Sequence, residues 1–150
     1  MPMPPSVTKI TKDGVEFTSN VDRCSYTIKE LTRAALRDVG KYVCKRFRQS
    51  YYSRFSRITG KVGKWTQYWV RYKQEKYPNL QVGIKANGFY GLYQEIGSKK
   101  QPKLGLLSAA VQDNIAEIVR IESRYLSALE DEAEALALIS EEEYKGGADE

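Results

Sequence analysis

Two stretches of the chain alternate apolar and polar residues as β-hairpins do. In the first, Val7–Ile10 and Val15–Thr18 flank the turn 11–14, whose Asp-Gly pair tolerates positive φ. In the second, residues 65–73 place Tyr68, Val70 and Tyr72 on one side, and Leu80, Val82 and Ile84 alternate in the same way. The pattern predicts two antiparallel hairpins, the second with an aromatic-rich face.

From about Ser25 to Ser50 the spacing changes to that of a helix. One face carries Ile28, Leu31, Ala35, Val39, Tyr42, Val43 and Phe47, and the other carries Arg33, Arg37, Lys41 and Arg48. The basic face is either a solvated surface or a contact for acidic protein or DNA phosphate. Residues 51–64 show neither period and contain Ser, Thr and two Gly, which predicts a mobile loop.

The segment Val82–Ala110 forms an elbow between the basic and the acidic parts of the chain. Tyr90–Gly97 is short, apolar and bounded by glycines, which predicts one or two helical turns capped by Gly97. A basic loop, Ser98–Lys103, follows, and a second helix is expected from about Leu106.

An apolar stripe then continues across about thirty residues without Gly or Pro, which predicts a single helix of roughly 45 Å. Its members are Leu107, Val111, Ile115, Ile118, Tyr125, Leu129, Ala133 and Leu136. We expect the part beyond Leu126 to project and to contact a neighbour; the alternative is a helix that bends back at Ser127 or frays. The contact would use Leu129, Glu130, Asp131, Glu132, Glu134 and Leu136.

These elements predict an α+β fold, in which a small antiparallel sheet is packed by two main helices and the C-terminal helix is long and partly projecting. Residues 1–24 would form an N-terminal arm and hairpin, 25–126 the core domain, and 127–150 an acidic helical extension and tail. No stretch has the roughly 18 apolar residues of a transmembrane helix, and no apolar signal peptide begins the chain, so we expect a cytosolic protein without membrane partners.

Charge divides the 150 residues unevenly. Residues 130–150 hold nine acids and one base, a net charge of −8, whereas the whole chain carries +5. Ten Lys or Arg lie between Asp38 and Glu75 with no acid among them. This asymmetry indicates electrostatic pairing, either with a polyanion or with the acidic end of another copy.

The residue types argue against catalysis. The absence of histidine removes His-based acid–base chemistry, His-activated nucleophiles and the usual zinc ligand sets, so we expect no enzyme, metal or cofactor. Cys24 and Cys44 are expected to be reduced packing residues. Glu95, the sole carboxylate between Glu75 and Asp113, has no catalytic partner; we expect it to pair with Lys99 or Lys100, or with a base of an adjacent subunit.

Aromatic residues are interleaved with bases between residues 41 and 73, a composition that allows nonspecific nucleic-acid binding. No recognised nucleic-acid motif accompanies it. The candidate contacts to DNA or to an acidic partner are Arg33, Arg37, Lys41, Arg48, Arg54, Arg57, Lys61 and Lys64.

A series of short motifs across residues 25–125 resembles the tail-component family of long-tailed bacteriophages, the head-tail joining or tail-completion proteins. The motifs are Thr59-Gly60-Lys61-Val62, Val82-Gly83-Ile84, Tyr90-Gly91-Leu92-Tyr93-Gln94-Glu95-Ile96-Gly97-Ser98, Pro102 and Leu106-Leu107-Ser108-Ala109-Ala110. The chain departs from the family pattern at Ser98, which stands for Thr, at Gly105 and Ala109, where prolines are common, and at Leu106, which stands for Phe.

The resemblance implies a non-enzymatic virion protein, assembled in the bacterial cytoplasm, that forms a ring of six or twelve copies at the phage neck. Its implied partners are copies of itself, the head connector, adaptor or stopper protein, the tail tube or tail terminator, and genomic DNA that passes nonspecifically through the lumen. In this setting Glu95 would be a clamp within or between subunits. The alternative function is nonspecific nucleic-acid binding through residues 41–73.

Overall fold

The computed structural model describes residues 3–10, 13–55, 61–73, 77–100 and 102–146. Its elements are β1 (Val7–Ile10), β2 (Glu16–Ser19), α1 (Val21–Arg54), α2 (Lys61–Trp65), β3 (Thr66–Arg71), β4 (Asn79–Ile84), α3 (Tyr90–Ile96), α4 (Leu106–Gln112), α5 (Ile115–Ser127) and α6 (Glu132–Gly146). The strands form two antiparallel hairpins, β1–β2 and β3–β4. The predicted α+β class is confirmed.

Helix α1 is longer than the apolar period predicted. Its 34 residues span about 51 Å, and it carries Asp22 in its first turn and Arg54 in its last, where each charge favours the helix dipole. The predicted loop 51–64 is therefore wrong at both ends, because Tyr51 continues α1 and residues 61–65 form α2. Its middle, residues 56–60, lies outside the described residues.

The chain divides into two compact units, residues 1–34 with 124–150 and residues 35–123. In the second unit the core is built from Val39, Val43, Phe47, Val62 and Ala110. Partly buried side chains from α1, β4, α4 and α5 pack around this centre: Tyr51, Leu80, Val82, Ile84, Leu106, Leu107, Ile118 and Ile121. The predicted apolar face of α1 thus supplies most of the core.

The β3–β4 hairpin lies against α1 with the predicted face inward. Tyr68 pairs with Val82 and Val70 with Leu80, while Trp69 on the opposite face is 42% exposed. A Cβ atom added at Gly40 of α1 would lie 2.6 Å from Tyr68 Cγ. The glycine in the middle of this helix therefore makes room for an aromatic ring of the strand.

The predicted single helix from Leu106 is wrong, because it is interrupted twice. The first break lies between α4 and α5, where the Asn114 side chain accepts hydrogen bonds from Tyr42 Oη at 3.0 Å and Arg46 Nε at 3.1 Å. Asn114 Nδ2 donates to the Ala110 carbonyl at 2.9 Å, which closes the end of α4. These contacts to α1 stabilise a turn that contains no glycine or proline, so no sign of it appears in the sequence.

The second break is a 3₁₀ turn, Ala128–Glu130, that separates α5 from α6. Asp131 then begins α6 in an extended conformation, and its Oδ1 accepts from the N–H of Ala133 at 2.8 Å. The bend at Ser127 that the sequence left as an alternative is thus the observed arrangement.

The segment beyond Leu126 does not project as a bare helix, because it belongs to the same compact unit as residues 1–34. Four apolar residues of this segment, Ala128, Ala135, Leu138 and Ile139, are at most 6% exposed, and so are Leu31, Ala34 and Tyr125 of the same unit. An ion pair of 2.6 Å joins Arg23 of α1 to Glu132 of α6. Within the described ranges, no helix combines the length and apolarity that crossing a bilayer requires.

Candidate assembly interface

Helix α3 is buried on the side where side chains are smallest. Gly91 is its only buried residue, and a Cβ there would lie 2.7 Å from Ile84 Cδ1 and 2.9 Å from Val62 Cγ1. The predicted end of the helix at Gly97 is confirmed, with φ 88° and its N–H bonded to the Tyr93 carbonyl. The short helix therefore meets the core through a glycine, which leaves its larger side chains to point elsewhere.

The polar residues of α3 turn toward the protein. Gln94 Oε1 accepts a hydrogen bond from Tyr51 Oη at 2.8 Å, and the Gln94 carbonyl accepts from the N–H of Leu104 at 2.9 Å. Tyr51 packs against Phe47, and burial raises the pKa of its hydroxyl. Gln94 thus ties α3 both to α1 and to the loop that precedes α4.

Glu95 is bound to the start of α4 rather than to a lysine. Its carboxylate accepts hydrogen bonds from the N–H of Leu107 at 2.8 Å, the N–H of Ser108 at 2.9 Å and the Ser108 hydroxyl at 2.9 Å. The residue before α4 is Gly105 in the left-handed region (φ 60°), which has no side chain to cap the helix. Glu95 supplies that cap from another helix, so its described hydrogen bonds support a clamp within the subunit.

Five large apolar side chains of this region face the solvent, and we call them the aromatic face. They are Phe89 (48% exposed), Tyr90 (55%), Leu92 (52%), Tyr93 (53%) and Ile96 (63%). Phe89 stacks on Tyr90 with ring centroids 4.0 Å apart and meets Tyr93 edge-on at 6.3 Å. The three rings therefore pack against one another. Helix α3 turns polar residues inward and apolar residues outward, which reverses the usual amphipathic arrangement.

Positive charge surrounds this face in the sequence. The exposed lysines of the flanking loops are Lys85, Lys99, Lys100 and Lys103. The only acid between residues 77 and 112 is Glu95, whose carboxylate is engaged at α4. The predicted contact residues Lys99 and Lys100 follow the end of α3 and are solvent-exposed.

A second exposed surface lies in the other unit, at residues 126–134, and we call it the acidic edge. Leu126 is 63% and Leu129 40% exposed, and the segment carries the acids Glu130, Asp131, Glu132 and Glu134. Two of the predicted contact residues have structural tasks, since Asp131 caps α6 and Glu132 pairs with Arg23. Glu130 and Glu134 are exposed, and the predicted contact residue Leu136 is half-buried.

Two of the basic residues predicted for DNA or an acidic partner make contacts within the chain. Arg48 donates to the carbonyls of Gly63 and Thr66, each at 2.9 Å, and so fixes the start of the hairpin, while Arg33 pairs with Glu30. Of the others, Arg37 and Lys41 are half-buried, Arg54 and Lys64 are exposed, Lys61 begins α2, and Arg57 lies outside the described residues.

The two cysteines differ in environment. Cys44 is a buried packing residue as predicted, and burial raises the pKa of its thiol. Cys24 is exposed, so the expectation that it packs in the interior is wrong.

The aromatic face was not predicted from the sequence, which indicated only one or two helical turns at Tyr90–Gly97 within the elbow Val82–Ala110. One signal was available: at helical spacing Tyr90, Leu92, Tyr93 and Ile96 share one side of α3, opposite Gly91. Among the described residues, no group of three or more His, Cys, Asp or Glu side chains is placed to hold a metal ion.

Comparison with known proteins returned no match, whether against family models, curated proteins or solved structures.

Proposed function

We propose that this chain is a structural subunit of a bacteriophage virion, which assembles with copies of itself into a ring at the neck and joins the head connector to the tail. The observation that carries the proposal is the aromatic face. Four of its five residues lie within Tyr90–Ser98, the motif on which the resemblance to tail-component proteins chiefly rests.

A surface of this kind calls for a partner. Five large apolar side chains exposed together form a contiguous patch, and soluble proteins that act alone rarely keep such patches in contact with water. Tyrosine and phenylalanine are enriched at protein interfaces, because they bury large areas at low entropic cost. The polar contacts of α3 are made inside the subunit, so this face is free for a neighbour.

The uneven charge supports assembly from unlike surfaces. A basic region and an acidic end on one chain attract each other between copies, and contacts of one surface with a different surface generate rings when the rotation closes. The proposal places the chain among proteins that act by holding others, since the sequence lacks histidine and nominates no nucleophile.

The test is the assembly state of the purified full-length protein. We expect light scattering to give a mass of several subunits, and negative-stain images to show closed rings with a central opening. Virions that contain the protein should carry it at the neck, which antibody labelling would detect. A protein that stays monomeric at concentrations of tens of micromolar, or that labels elsewhere on the particle, contradicts the proposal.

A second candidate function is nonspecific nucleic-acid binding, which the outer face of the β3–β4 hairpin favours. Trp69 and Arg71 are exposed on this face, and Lys64 Nζ lies 5.5 Å from the centroid of the Trp65 ring. Exposed rings stack on bases, and cations bind phosphates. Titration of fluorescent single-stranded DNA over a salt series tests it: affinity that falls steeply with salt and is lost in Trp69→Ala supports this function.

A further inference from the structure

We infer that the aromatic face of one subunit binds the acidic edge, residues 126–134, of a second copy of this chain. The inference rests on the proposed ring and goes further by naming the two surfaces that meet. It follows from two exposed surfaces that are complementary: one combines aromatic rings with nearby lysines, and the other combines leucines with acids.

Apolar surface is the first match. The aromatic face offers rings and aliphatic side chains that are about half exposed, and the acidic edge offers Leu126 (63%) and Leu129 (40%). Leu126 lies in the last turn of α5 and Leu129 in the 3₁₀ turn, so both are held on ordered backbone three residues apart. Leucines presented in this way are suitable anchors for the spaces beside aromatic rings.

Charge is the second match. Lys85, Lys99, Lys100 and Lys103 flank the aromatic face, while four acids lie within residues 126–134. Two of those acids, Glu130 and Glu134, are exposed and are not needed for the cap or the pair with Arg23. Opposite charges around an apolar centre attract the correct partner and fix its orientation.

The same arguments disfavour the other occupants. Two aromatic faces in contact would bring the flanking lysines together, and like charges oppose such a pairing. The apolar stripe Val111, Ile115 and Val119 is also exposed, but it lacks a comparable run of acids, and Glu117 beside it is bound by Arg120. The acidic edge is therefore the best complement.

A contact between two different surfaces is directional. Each subunit would offer its aromatic face to one neighbour and its acidic edge to the other, so every copy is used twice. When the two surfaces bind two different neighbours, such a series of contacts closes into a ring or continues as a filament.

The first experiment reverses the charges on each side in the full-length protein and measures the assembled mass by light scattering against concentration. Lys99→Glu with Lys100→Glu should raise the dissociation constant about tenfold, and Glu130→Lys with Glu134→Lys should do the same. Combining all four changes should restore assembly toward the wild type. Lys45→Glu, an exposed change on α1, is the control and should assemble normally.

The second experiment identifies the surfaces by disulfide formation in a Cys24→Ser background, which removes the exposed native thiol. A chain with Leu92→Cys mixed with a chain with Leu129→Cys should give a crosslinked pair under mild oxidation. Val119→Cys, equally exposed, should not crosslink to Leu92→Cys.

The outcomes separate the inference from the proposed function. Rings that persist in both charge-reversed proteins without crosslinks overturn the inference and leave the ring intact. A wild-type protein that never assembles overturns both. Crosslinks between two Leu92→Cys chains, or only within a chain that carries Leu92→Cys and Leu129→Cys together, assign the face to another occupant and also overturn the inference.

Discussion

Glu95 of α3 caps the first turn of another helix, α4. The sequence marks it as an isolated carboxylate and predicts a clamp, with lysines four or five residues later as partners. In the structure its oxygens bind the backbone N–H groups of Leu107 and Ser108. Every residue except proline has a backbone N–H donor, so no sequence pattern distinguishes the two that are used.

Replacing this carboxylate tests its task. Glu95→Ala should lower the free energy of unfolding by about 1 to 3 kcal/mol, because two N–H groups at the start of α4 lose a charged acceptor. Urea denaturation followed by circular dichroism measures the change. Ser108→Ala, which removes only the hydroxyl bond, is the matched control and should cost less. Equal stability of Glu95→Ala and wild type would show that the cap contributes nothing.

At the scale of elements, the sequence predicted most helices and strands, offered the break near Ser127 only as an alternative and missed the break at Asn114. The hairpins, the short helix ending at Gly97 and the start of α4 near Leu106 are confirmed, because local period and glycine placement determine them. The turn at Asn114 was missed, since its partners Tyr42 and Arg46 lie 72 and 68 residues away. The start of α6 could have been found, because Asp131 followed by Glu134 is a capping pattern.

Gly40 gives a prediction in which two effects oppose each other. Gly40→Ala should gain about 1 kcal/mol of helix propensity, yet the added methyl would lie 2.6 Å from Tyr68 Cγ. Overpacking typically costs about 1 to 3 kcal/mol. The nearest atoms include Tyr68 Cβ and Cγ, which lie next to the backbone and move little when the ring rotates. We therefore expect the free energy of unfolding to fall by about 1 kcal/mol.

A double-mutant cycle isolates this contact. In a Tyr68→Ala background the ring is absent, so Gly40→Ala should become stabilising by about the propensity difference. Thermal unfolding of the four proteins measures the coupling. A stabilising Gly40→Ala in the wild-type background would show that α1 and β3 adjust at little cost.

At the scale of the molecule, the uneven charge could be read directly from the sequence, whereas the burial of residues beyond Leu126 could not. Burial depends on which parts of the chain meet, and residues 124–150 form a unit with residues 1–34 from the opposite end of the sequence. Removal of the C-terminal segment should therefore destabilise the fold, whereas removal of a projecting helix would not. It removes buried Ala128, Ala135, Leu138 and Ile139 from a core.

Truncation after Leu126 should thus lose more helix than the deleted residues contain. The first part of α1 would be left with Leu31 and Ala34 uncovered, so we expect added loss of far-ultraviolet circular dichroism and a lower unfolding temperature. Truncation after Gly146 keeps every described element and should behave as wild type. A melting curve unchanged by the longer truncation would contradict this account of the first unit.

The outward apolar side of α3 also sets a limit on the free subunit. An exposed apolar surface of this kind promotes self-association, so unassembled chains stay dissolved only up to a limiting concentration. We expect a host cell to tolerate this protein best when its synthesis keeps pace with assembly. Overproduction of the chain alone would then turn the surplus into precipitate, and Leu92→Asp should raise the soluble yield.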